Sequence, residues 1–345
     1  MTTYDDRRLW PGTLPPVEGV PERRHGSVRR TTSVDLVRPD GFAGPLVISG
    51  RGRDLATDVD GATRVVGEGE MEVVVDYAGD RTVTSVRAEP WTDGLEQVVG
   101  VRAGSGFRRA LAAAVPGLGA EGSLVHQLLD DISPGTLISG SSLAREGLIH
   151  LAAGPATGKV SSQTDICAGW QAGGAMYAAI AETGVPLLGW GPPAPSLEAA
   201  DDPLAWHHLG DLVPGSMRRR RLIDVGPADP DSEAGRRGHL SVITRYRDSY
   251  WEQDGTETVV HEYGLLITVD PGPWVVSSSV AEPGPLPAPE YPSAAASAGR
   301  LVGRPLAGLR EEVRDHFVGV STCTHLNDVF RSLADLPVVW AAVRL

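Results

Sequence analysis

The chain has 345 residues, 41% hydrophobic and 22% charged, enough length and apolar content for two ordinary domains or one large body with a substantial core. Its formal charge of -13 repels nucleic-acid backbones and anionic lipid surfaces on average, and no run approaches the roughly 18 apolar residues of a membrane span, so neither partner is expected. Two cysteines, Cys167 and Cys323, are too few for a secreted disulfide framework, and without an apolar leader at the N-terminus the expected location is the cytoplasm.

Residues 1–28, proline-rich and charged, read as an arm lying over the surface. Residues 29–133 then form a first unit. Glu70 to Asp76 is rich in β-branched residues, turns at Ala78-Gly79, and is followed by a second such run ending at Val86, which predicts a hairpin. Phe107 to Val115 has helical spacing stopped by Gly117, and a short helix is expected near His126.

Residues 134–216 have no counterpart elsewhere in the chain. From Thr164 to Glu182 small residues recur at helical spacing (Ala168, Ala172, Ala175, Ala179), the pattern of a closely packed buried helix between the breakers Gly154-Pro155 and Gly191-Pro192-Pro193. Lys159, also here, is the only lysine and therefore the only residue that a Schiff-base mechanism could use.

Residues 217–345 repeat the first unit. Arg51-Gly52-Arg53-Asp54 laid over Arg245-Tyr246-Arg247-Asp248 continues without a gap to Val86 over Val280. Twelve positions of that run are identical: Arg51, Arg53, Asp54, Asp60, Gly61, Val65, Val66, Glu68, Val75, Asp76, Ser85 and Val86. Farther along, Leu309 to Phe317 with Gly319 repeats the helix and its stop, and His325 falls over His126. The expected fold is α+β: two tandem repeats, each an antiparallel sheet followed by helices, packed as a pseudo-dimer with an inserted helical segment. A groove between the repeats would be the natural pocket.

The two copies also sort the polar residues. Arg-x-Arg-Asp and the strand-end aspartates Asp76 and Asp270 occur in both, which favours carboxylate–guanidinium pairs that tie strands together. Glu68 and Glu262 are shared as well. Copy two alone has His261 where copy one has Gly67, and Cys323-Thr324-His325 where copy one has Leu124-Val125-His126. A cysteine and a histidine two apart at a helix entry suit a low-pKa thiolate pair, a metal-ligand pair or a hydrogen-bonded cap. Cys323, His325 and His261 would give zinc three ligands if the copy folds them together, with Glu262 or water as the fourth. The spacing does not demand a metal, and none is assigned.

The run Arg218 to Arg221 reads as a solvated or acid-paired strand edge, or as a cradle for a phosphate or carboxylate. Asp165 reads as an N-cap, or as a proton donor if it faces an apolar cavity lined by Trp170. No dinucleotide fingerprint, P-loop, nucleophile elbow or His-Glu-x-x-His motif occurs, so no cofactor is expected.

With Cys323-Thr324-His325-Leu326-Asn327-Asp328, the helix opened by Leu309-Arg310, the Arg-Tyr-Arg-Asp segment and His261-Glu262-Tyr263 in view, copy two resembles the bacterial protein family catalogued as domain of unknown function 2889. The likeness covers roughly residues 217–337, and copy one looks like a degenerate member. Where the family commonly has a Cys-Pro pair between hairpin and helix, this chain has Tyr291-Pro292. The resemblance implies no established activity.

The functional expectation is a non-redox acid–base enzyme of the isomerase, hydratase/dehydratase or cyclase type. It would act on a mostly apolar small molecule held between the repeats, with homo-oligomer formation left open. Asp165 is the acid, His261 with Glu262 the base pair, and Cys323 and His325 complete the catalytic set, while Trp170, Arg245 and Asn327 bind substrate. The alternative is a non-catalytic small-molecule-binding or scaffold protein.

Overall fold

A computed structural model describes residues 13–17, 19–119, 121–148, 163–183, 190–197, 199 and 201–342. Lys159 and Gly154-Pro155 lie outside the described residues. Strands β1 (Ser27–Val37), β2 (Leu46–Thr57), β3 (Thr63–Asp76) and β4 (Thr82–Glu89) come first. Helices α1 (Phe107–Ala114), α2 (Leu124–Asp130), α3 (Ile132–Ile138) and α4 (Gly140–Arg145) follow. After α5 (Ala175–Thr183) come β5 (Met217–Pro227), α6 (Glu233–Arg236), β6 (Leu240–Trp251), β7 (Glu257–Asp270) and β8 (Val275–Pro283), and then α7 (Leu309–His316), α8 (Thr324–Ser332) and α9 (Leu336–Ala341). This is a mixed α and β protein.

The eight strands form one antiparallel sheet in the order β4-β3-β2-β1-β5-β6-β7-β8. The seam between the halves is therefore a backbone ladder, running from Val28 opposite Val225 to Leu36 opposite Met217. The groove expected between two packed units does not run through this seam. Pairing two strands that would otherwise be open edges satisfies their N–H and C=O groups more completely than a face-to-face contact would.

The irregularities of the two halves fall at aligned positions. A bulge follows Asp54 in the β2–β3 pairing and Asp248 in the β6–β7 pairing. A second follows Val74 and Thr268. Asp76 and Asp270 accept from Gly79 and Gly272 N–H in the hairpin turns, so they shape turns and do not tie strands to arginines.

Helices cover one face of the sheet. There Leu36, Ile48, Val73, Phe107 and Leu128 belong to the core of the first half, and Val225, Tyr246, Leu265, Tyr291, Leu326 and Phe330 to that of the second. The insert contributes Cys167, Ala168 and Met176 to the second core. It is not the single helix its spacing suggested: a 3-10 turn at Ala168–Trp170 precedes Gly173 at φ 73°, and only then does α5 begin. A left-handed glycine stops the helical hydrogen-bond ladder between the two pieces.

The arginine run lies in β5, at the centre of the sheet, and all four side chains are buried. Because successive side chains alternate faces, Arg219 and Arg221 reach the helix side, where Asp131 and Asp328 meet them, and Arg218 and Arg220 pair with Asp35 and Glu257. Each guanidinium thus has a carboxylate, the condition under which burial of charge is tolerated. The run is a paired central strand, neither a solvated edge nor a free anion cradle.

Candidate metal centre

The pairing of β6 with β7 sets the site. Asp248 stands opposite His261 and Tyr246 opposite Tyr263, so all four side chains project to the helix face. The bulge beside Asp248 inserts an extra residue in β7, and such bulges re-aim the neighbouring side chain. On that face α8 arrives with Cys323 at its N-cap position and His325 in its first turn.

The donor atoms of His261, Cys323 and His325 all lie within 4.8 Å of one another. Cys323 is fully buried, and His261 and His325 are 3% and 8% exposed. The imidazoles stack, with ring centroids 3.7 Å apart and planes 21° from parallel. Cys323 Sγ is 3.8 Å from His325 Nδ1. Two ligands at zinc's usual S and N bond lengths around a tetrahedral ion would lie about 3.6 Å apart; the Cys323–His325 pair at 3.8 Å has that spacing, and the widest separation in the group, 4.8 Å, would have to close by about 1 Å.

Neither ring nitrogen of His261 has a hydrogen-bond partner, although both are buried. An orphaned polar group in a core costs about 1–3 kcal/mol, and a cation between the rings and the sulfur removes that cost. Burial, reinforced by His325, drives His261 well below the ordinary histidine range. Burial also takes His325 down to about 3, with Arg219 adding to the effect. Both imidazoles are therefore neutral near pH 7 and offer lone pairs. Burial pushes the Cys323 thiol up to about 12, so it stays protonated unless a cation takes the proton's place.

The surroundings hold the ligands in place. His325 Nε2 faces Asp248 Oδ2 at 3.6 Å, which leaves Nδ1 toward Cys323. Asp248 is itself gripped by Arg219 through Nε and Nη2 at 2.9 and 3.0 Å and by the Tyr246 hydroxyl at 2.8 Å. A carboxylate behind a histidine ligand is the outer-shell arrangement that fixes ring orientation at metal sites. Neither Asp248 nor Arg219 stands out in the sequence, because Asp248 has a counterpart in Asp54 and Arg219 is one of four consecutive arginines.

The other expected site residues are not gathered with this cluster. Glu262 follows His261 on an alternating strand and so projects from the opposite face, where Arg247 Nε and the Val17 amide, each at 2.6 Å, occupy its carboxylate. It is neither the base partner of His261 nor a fourth ligand. Arg245 is on that far face too, against Glu282. Asp165 is exposed and accepts from the Ala172 N–H at 2.8 Å, a backbone-capping role in water. Trp170 is half-buried, edge-on to Tyr177. Asn327 donates to the Phe317 carbonyl at 2.7 Å and so ties α7 to α8. Two small, charge-lined cavities occur among the described residues. One is lined by Arg220, Arg245, Arg247 and Glu262 beneath the arm, the other by His126, Asp130, Arg221 and Arg310, and neither opens on His261.

The first half has no such cluster at the aligned place. Leu124 fills it: a Cβ added to Gly67 would lie 3.6 Å from Leu124 Cδ1 and one added to Gly69 3.0 Å from its Cβ. Arg30 grips Asp54 in both directions at 2.8 and 2.7 Å, as Arg219 grips Asp248.

Fold and site together define an α+β protein with a buried cluster of two histidines and one cysteine on its central sheet. Residues 218–338 match the family model described as a protein of unknown function, DUF2889. No curated protein and no solved structure matches the chain. Among the described residues, no helix is long and apolar enough to cross a membrane.

Proposed function

We propose that the C-terminal half is a metal-binding unit that holds one Zn2+ ion between His261, Cys323 and His325, and that the ion fastens α8 to the sheet. The observation that carries this reading is the meeting of three donor atoms within 4.8 Å, one histidine of which has no protein partner for either ring nitrogen. Sulfur with imidazole is a borderline-soft set that suits zinc better than magnesium or calcium, which take oxygen ligands. The class is that of a binding or scaffold protein. An acid–base enzyme would have to work without Asp165 and Glu262 beside His261, since one is at the surface and the other beyond the sheet.

The same reading takes residues 29–131 and 219–335 as diverged copies of one unit, the first of which has replaced its metal ligands by Gly67 and Leu124. The aligned bulges and the matched Arg30–Asp54 and Arg219–Asp248 pairs support it.

Elemental analysis of the purified full chain tests the proposal. One zinc per chain is expected, lost in His261→Ala, Cys323→Ser and His325→Ala but kept in His126→Ala. A wild-type chain that neither contains nor takes up Zn2+ after reduction overturns it.

A further inference from the structure

A zinc ion on two neutral imidazoles and one thiolate has a net charge of +1, and three protein ligands leave it one coordination position short of the tetrahedral four. Buried charge is costly unless matched. The fourth ligand should therefore bring a negative charge and come from a residue already beside the cluster. Glu262 is on the wrong face, and Asp248 is occupied by Arg219 and Tyr246. One other buried thiol remains, that of Cys167, just outside the group of donors that lie within 4.8 Å of one another.

Cys167, in the inserted segment, is 2% exposed and free of any disulfide. The residue after it, Ala168, donates its amide to the Thr322 carbonyl at 2.8 Å, so the chain at Cys167 is strapped to the chain at Cys323. Its Sγ is 3.9 Å from the Tyr291 hydroxyl, and the Tyr291 ring meets His261 edge-on at 5.0 Å between centroids. Gly169 allows this approach, because a Cβ there would lie 2.0 Å from Tyr291 Cζ.

We propose that Cys167 is the fourth ligand, so that the inserted segment closes a neutral site of two cysteines and two histidines. The inference rests on the zinc reading of His261, Cys323 and His325. It adds that the insert, absent from both repeated halves, is held to the second half through the metal. On binding, each thiol gives its proton to solvent and forms one S–Zn bond. No oxidant or reductant is involved.

Two measurements on the full chain test it. Zinc X-ray absorption of the wild-type protein should show two sulfur and two nitrogen neighbours at about 2.3 and 2.0–2.1 Å. One sulfur overturns the proposal and leaves the three-ligand reading standing. Cobalt titration of the metal-free protein gives the second readout. Cys167→Ser and Cys323→Ser should each halve the sulfur-to-cobalt charge-transfer band, and Cys167→Ser should weaken Zn2+ binding by more than the ~10–100-fold that loss of an outer-shell partner brings. A Cys167→Ser protein with the full band and wild-type affinity overturns the proposal. Failure of the wild-type chain to bind either metal overturns the zinc reading as well.

Discussion

The carboxylate of Asp248 stands behind His325: Oδ2 is 3.6 Å from Nε2, while Nδ1 of the same ring is 3.8 Å from Cys323 Sγ. One side of the imidazole is thereby assigned to a fixed anion and the other to the cluster. Asp248→Asn keeps the shape but weakens that hold, and zinc affinity should fall by about 10–100-fold in chelator competition. Asp54→Asn, at the aligned place in the first half, should leave the affinity unchanged. Equal effects of the two substitutions would remove Asp248 from the metal's surroundings.

Zinc that binds only the folded chain must stabilise it. At free zinc a hundredfold above the dissociation constant, the gain is about 2.7 kcal/mol. Thermal unfolding of the wild type should therefore shift upward with zinc concentration, and that of His261→Ala should not. A melting temperature indifferent to added zinc and to chelator would count against the centre.

Arg219 is shared by Asp248, Asp131 and Asp328, all buried. Removal of one partner from a buried network leaves uncompensated charge, so Arg219→Met should cost about 3–5 kcal/mol in denaturant unfolding. Arg51→Met, at an exposed pair with Glu70, should leave the midpoint near that of the wild type. Similar midpoints for the two variants would contradict the importance given to this network.

His207 is buried between Thr31 and Ser33, and burial, with Arg53 and Arg218 adding, lowers its pKa to about 3. Its folded value is thus below the unfolded value of about 6.5, so the unfolded chain binds the proton more readily. The stability due to its neutral form is complete above pH 6.5 and is lost as pH falls toward 3. Melting temperatures from pH 7 to 4 should fall less for His207→Gln than for the wild type. Parallel profiles would show that this histidine is not responsible.

Gly169→Ala places a methyl group inside the Tyr291 ring, whereas Gly104→Ala meets nothing within 4 Å. The first should destabilise the chain by about 1–3 kcal/mol and the second should not do so by steric contact. Limited proteolysis should then cut the insert of the Gly169 variant first. Equal protection in both variants would separate Gly169 from the docking of the insert.

Much of the local structure was legible in the sequence. Alternating β-branched runs and helical spacing marked β3 with β4, β7 with β8, and α1 and α7, because these periods are fixed by backbone geometry. His261 and Cys323 are legible in the sequence as well, since they differ from Gly67 and Leu124 at aligned positions. Adjacency in sequence does not place His261 and Glu262 together, because a strand sends neighbours to opposite faces.

What the sequence determined alone was the set of donors and the elements that bear them, since both follow from side-chain chemistry and local period. Only the tertiary structure decided which of them meet. The joining of β1 to β5, the bulge beside Asp248 and the docking of α8 bring residues about sixty positions apart within 4.8 Å, and the same sheet separates Glu262 from its neighbour. Such proximity depends on long-range pairing and packing, which no local spacing encodes.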